Sequence, residues 1–93
     1  MERIKRLLNR IGDLFKELDY DIKNINGNTY YFKSNTYYRV TYLNKVNSLV
    51  IEYAENYNEV VKNLFVDADI YSLDNGEDNF LNKLRVDLIK YYN

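Results

Sequence analysis

Carboxylates dominate the chemistry this chain can offer, and their spacing is most suggestive in the run Asp67-Ala68-Asp69-Ile70-Tyr71-Ser72-Leu73-Asp74. Alternating acids invite comparison with a calcium loop, whose oxygen ligands recur at alternate positions around an obligatory glycine. With Asp67 and Asp69 as the first ligands, Tyr71 stands where another ligand is needed and Ser72 where the glycine is needed. The stretch therefore reads as a solvated acidic loop, and no metal is expected.

Other chemistries are excluded by composition. The chain has no cysteine and no histidine, which removes disulfides, thiolate nucleophiles, sulfur-ligated zinc and the commonest general base near neutral pH. Serines are few, and without those partners a nucleophile would need a lysine or carboxylate as its base. Gly12, Gly27 and Gly76 are isolated, so there is no glycine-rich phosphate loop. No enzymatic activity and no cofactor are expected, and binding is the function class that remains.

Charge is unevenly placed for such a role. Arg3, Lys5, Arg6, Arg10 and Lys16 outnumber Glu2 and Asp13 near the N-terminus, whereas every charge between Lys62 and Lys83 is acidic. Those acids are Asp67, Asp69, Asp74, Glu77 and Asp78, a candidate recognition patch for a basic partner. The net charge of −1 gives no basic footprint for nucleic acid. Charges interrupt every apolar run, starting with Glu2-Arg3-Ile4-Lys5-Arg6, so no signal peptide or spanning helix is expected and a cytoplasmic location follows. Frequent asparagine, lysine, isoleucine and tyrosine suit AT-rich codon usage, as in a low-GC bacterium or its phage.

The elements that position these residues can be read from periodicity. At 93 residues the chain suits one globular domain spanning 1–93. Ile4, Leu7, Leu8, Ile11, Leu14, Phe15 and Leu18 fall on one stripe of an amphipathic helix over residues 2–19, with Gly12 inside it. From Tyr20 the period changes to two, and turn residues arrive regularly. Asn26-Gly27, Ser34-Asn35 and the stretch from Asn44 to Asn47 separate four strands: Tyr20–Ile25, Asn28–Lys33, Thr36–Leu43 and Ser48–Glu55.

Turn lengths then fix the registers. Leu43 opposite Ser48 sets Tyr42 against Leu49, Val40 against Ile51 and Tyr38 against Tyr53 on one face, and Arg39 against Glu52 on the other. Tyr31 and Ile22 join the first face. Tyr30, Phe32 and Tyr37 join Arg39 on the second, which is too aromatic to be left in water without a reason. Either a short helix begun at Asn56 or Asn58 and carrying Tyr57, Val60, Val61 and Leu64 covers it, or a second subunit does, as in a homodimer. The same aromatics could stack single-stranded bases, but tyrosine and arginine are favoured at protein interfaces and the chain is not basic.

Val66–Leu73 looks extended, and a short fifth strand there is the alternative to a loop. Asp74-Asn75-Gly76 is a turn, with Asp74 and Glu77 spaced as a capping box for a last helix carrying Phe80, Leu81, Leu84, Leu88 and Tyr91. The expected fold is α+β: a four-stranded antiparallel meander in the order α-β-β-β-β-α-α, with the long terminal helices on one face.

The run Leu49-Val50-Ile51-Glu52-Tyr53-Ala54-Glu55-Asn56, then Glu59-Val60-Val61 and Leu64-Phe65-Val66-Asp67-Ala68-Asp69-Ile70-Tyr71, resembles a segment of the small immunity proteins of bacterial polymorphic toxin systems. The resemblance covers about residues 48–74. It implies a compact cytoplasmic inhibitor that binds one toxin domain and blocks it, and it transfers no individual residue role. Phage-encoded inhibitors of bacterial defence nucleases, such as anti-CRISPR proteins, share these properties. The candidate partner-binding residues are therefore Asp67, Asp69, Asp74, Glu77 and Asp78 in the acidic stretch, and Tyr30, Phe32, Tyr37 and Arg39 on the sheet.

Overall fold

The first helix, α1 (Glu2–Glu17), buries Leu7, Ile11, Leu14 and Phe15, one stripe of its surface. It stops at Asp19, whose φ of 69° is left-handed. There the Tyr20 N–H reaches back to the Phe15 carbonyl and the Asp19 N–H to that of Lys16, both at 3.0 Å. This is the Schellman arrangement, and its apolar contact is present: the Tyr20 ring meets Phe15 edge-on at 4.8 Å. The computed structural model describes residues 2–90, so Tyr91 lies outside the described residues.

Five strands follow: β1 (Asp21–Ile25), β2 (Asn28–Lys33), β3 (Thr36–Leu43), β4 (Ser48–Ala54) and β5 (Val66–Ser72). They pair antiparallel in sequence order. Two tight turns carry positive φ at both central residues, Asn26 with Gly27 and Ser34 with Asn35, which matches the twist of the strands they join. Between β4 and β5 lies a short helix, α2 (Tyr57–Val61), and the last described element is α3 (Glu77–Lys90).

The chain is thus α+β with a five-stranded meander, where four strands and the order α-β-β-β-β-α-α were expected. The extended stretch after α2 is a full edge strand. Its register jumps between Ile51↔Asp69 and Glu52↔Asp67, leaving Ala68 as a bulge. The bulge breaks the alternation by which a strand is recognised.

One sheet face carries the main core. Leu49, Ile51, Tyr31, Tyr38 and Tyr71 pack against the buried stripe of α1 and against Phe80, Leu84 and Leu88 of α3. Phe15 and Tyr31 stack at 4.1 Å with planes 1° apart. Side chains such as Leu7, Ile51 and Leu84 are completely buried, and truncation of any of them to alanine should cost about 2–5 kcal/mol. Arg10 bonds Asp78 at 2.9 Å near the start of α3, and Arg85 pairs with Glu17, so α1 and α3 lie side by side in the same direction.

A second, smaller cluster sits on the opposite face. Here Tyr30, Ala54 and Val60 of α2 are buried, with Ile25, Tyr37 and Phe65 against them.

Candidate interaction surface

The outer face is a grid set by the ladders. Arg39, Glu52 and Asp67 share one row, Thr41, Val50 and Ile70 the next, and Leu43, Ser48 and Ser72 the last. The short helix decides which part of it meets solvent. Asn56 caps α2 by accepting the Glu59 N–H at 2.9 Å, while the Glu59 carboxylate accepts the Glu55 N–H at 2.8 Å. Two donors at the helix start are thereby satisfied reciprocally. So fixed, α2 lies over the end of the sheet that carries Tyr30 and Ala54.

That cover accounts for most of the aromatic face. Tyr30 is buried and stacks on Phe65 at 5.8 Å. Tyr37 packs against the same small cluster. Phe32, half-buried, is tilted against Tyr37 at 4.6 Å, and the Lys23 ammonium lies 4.4 Å from its ring centre.

Arg39 is engaged on every side. Its Nε and one terminal nitrogen bond the two Glu52 oxygens at 3.0 and 3.3 Å, and the other bonds Asn63 Oδ1 at 2.7 Å. The guanidinium also lies 3.8 Å from the centre of the Phe65 ring. The Arg39 hydrogen bonds, assisted by one from the Thr41 hydroxyl, hold the Glu52 carboxyl below its ordinary value, against the opposing effect of burial. Arg39 thus fastens the segment after α2 to the sheet.

The five acids of the candidate patch divide by position. Glu77 and Asp78 face Arg10 from the first turn of α3. Asp74 accepts the Asn47 side-chain amide at 3.1 Å, and its N–H donates to the Ser72 hydroxyl. It does not cap α3, as the spacing to Glu77 suggested. The residue before the helix is Gly76, at φ 94°, and the Phe80 N–H reaches the Gly76 carbonyl. Asp67 and Asp69, both exposed on β5, have no ion-pair partner among the described residues.

Asp69 has a local task. The Leu73 N–H donates to the Asn47 carbonyl at 2.9 Å. Alternation along the ladder then turns the main-chain polar groups of Ile70 outward to the open edge. The Asp69 carboxylate takes that outward N–H at 2.9 Å.

What remains open is the half of the outer face beyond Arg39. A depression of about 630 Å³ there is lined by Thr41, Leu43, Val50 and Ile70 and bordered by Glu52, Asp67 and Asp69. Ile70 is 57% exposed. Of the residues named from sequence, the structure brings Arg39, Asp67 and Asp69 to this surface. It separates them from Phe32 and Tyr37, from buried Tyr30, and from Asp74, Glu77 and Asp78. The apolar members were not singled out in the sequence, although the β3–β4 register already places Thr41 beside Val50 on this face.

Among the described residues no group of three or more acidic side chains is placed to hold a metal ion, and no helix is long and apolar enough to cross a membrane. Comparison of the chain with protein-family models, curated proteins and solved structures gave no match.

Proposed function

We propose that this protein is a non-enzymatic inhibitor that binds and blocks a partner protein, a cognate bacterial toxin in the manner of an immunity protein. The observation that carries the reading is the half-open outer face, where exposed Ile70 and Leu43 adjoin Asp67 and Asp69. An apolar centre with unpaired acids at its rim suits a basic protein surface. The apolar contacts supply affinity, and the acids speed and orient the encounter. Stacking of single-stranded bases draws less support, because Tyr30 is buried and the Arg39 guanidinium is already bonded.

Copurification from the native host, followed by assay of the captured protein's own activity, tests the proposal. A toxin or defence nuclease that loses activity on adding the chain is the expected result, and a toxin gene adjacent to this one would favour the immunity role over a phage anti-defence role. Turnover of a small substrate by the purified chain alone would refute it.

A further inference from the structure

A second site lies where the sheet comes apart. β2 and β3 pair at Lys33↔Thr36, Phe32↔Tyr37 and Tyr31↔Tyr38, and the ladder then ends although both strands continue. The residues that flank a two-residue turn form a hydrogen-bonded pair, and such pairs alternate along the ladder. Lys33↔Thr36 and Tyr31↔Tyr38 are therefore bonded, and the next such pair, Thr29↔Val40, is missing.

Neither residue finds a partner on its other side. From the Asn26-Gly27 turn, Ile25↔Asn28 and Lys23↔Tyr30 are the bonded pairs with β1, so the polar groups of Thr29 face β3. On β3, Arg39 and Thr41 bond toward β4, which leaves those of Val40 facing β2. Two N–H and two C=O groups thus look into the gap.

The gap is a cleft of about 640 Å³, within the range of ligand sites. Its floor is α1 at Gly12, Asp13 and Lys16, and Leu8 and Ile22 at its rim are each over a third exposed. Gly12 matters here, because a Cβ would come 3.3 Å from the Tyr31 hydroxyl. Asp13 and Lys16 balance each other on the floor, and Arg39, the other charge in the lining, is already paired with Glu52. Such a lining does not suit a phosphate or a polyanion. Open main-chain donors and acceptors on facing lips suit a main chain.

We propose that this cleft binds an extended segment of a partner protein, whose own backbone completes the interrupted ladder at Thr29 and Val40. The site is distinct from the outer-face depression and does not depend on it.

The test uses the whole chain and a short blocked peptide of alternating threonine and valine, followed by amide NMR. Saturable shifts centred on Thr29 and Val40 at peptide concentrations up to about 1 mM are expected. Thr29→Pro removes the cleft-facing donor together with the Thr29 hydroxyl bond to Asn24; compared with Thr29→Ala, which loses the hydroxyl bond alone, it should weaken binding about tenfold. Asp67→Lys with Asp69→Lys should leave peptide affinity unchanged, so that failure of the outer-face reading is told apart from failure here. The proposal is overturned by absence of saturable shifts, by undiminished affinity in Thr29→Pro, or by oligothymidine occupying the cleft in place of peptide.

Discussion

Arg39 had the residue type of an interface anchor, yet its partners make it a fastener within the fold. It joins β3, the Glu52 carboxylate of β4 and the Asn63-Phe65 segment in one contact set. Both partners are mostly buried, with side-chain exposures of 27% and 16%, so Glu52→Gln should cost about 2 kcal/mol at neutral pH. Because the folded Glu52 carboxyl sits below its ordinary 4.5, its contribution is fully present above that pH and fades as the pH falls through the folded value. Urea titrations from about pH 7 to about pH 3 should show the variant's deficit shrinking in the acid range. A deficit independent of pH would mean that charge on Glu52 contributes nothing to stability.

At the same scale, Gly12→Ala should gain about 1 kcal/mol in helix propensity. The new methyl would press on the Tyr31 hydroxyl at 3.3 Å, and the Tyr31 ring is held by its stack on Phe15. We expect the change to be nearly neutral alone and to stabilise by about 1 kcal/mol in a Tyr31→Phe background. Equal effects in both backgrounds would show that the hydroxyl is no obstacle.

Among the elements, legibility followed periodicity and turn length. The β3–β4 register stands as the sequence implies, from Leu43↔Ser48 to Tyr38↔Tyr53, because one face is apolar throughout and a one-residue slip would invert it. Strand β5 was legible only as an extended stretch that a short fifth strand could fill, because the bulge at Ala68 interrupts its alternation. The cover over Tyr30 was one of two alternatives in the sequence, and α2, with only 5 residues, could not decide between them. Phe65, its main aromatic contact, lies beyond the helix. The candidate surface could not be assembled without β5, as Ile70 finds its neighbour Val50 only through that pairing.

Capping distinguishes Asn56 from Asp74. Asn56→Ala should cost about 1 kcal/mol, through loss of the α2 cap. Asp74→Ala removes an exposed hydrogen bond to Asn47 rather than a cap, and should cost about 0.5 kcal/mol. Thermal unfolding of both variants checks the order, and the reverse order would restore Asp74 as the cap of α3.

For the whole molecule, the open edge of β5 bears on self-association. The Asp69 carboxylate occupies the outward Ile70 N–H, and Asp67 adds like charge, so edge-to-edge pairing of two copies is opposed. Wild-type protein should be monomeric by light scattering, whereas Asp69→Val should associate as its concentration rises. A wild-type dimer insensitive to this change would place the self-contact elsewhere.

By the function proposed above, the uncovered outer face blocks a partner protein. Its most direct test is to titrate the copurified partner's own activity with wild-type chain, with Ile70→Glu, and with Asp67→Lys plus Asp69→Lys. Wild-type protein should abolish partner activity at one equivalent. Each variant should be folded and at least about tenfold weaker, the charge reversal chiefly through slower, less salt-sensitive association. Partner activity unaffected by the wild-type chain, or inhibited equally by all three proteins, would contradict it.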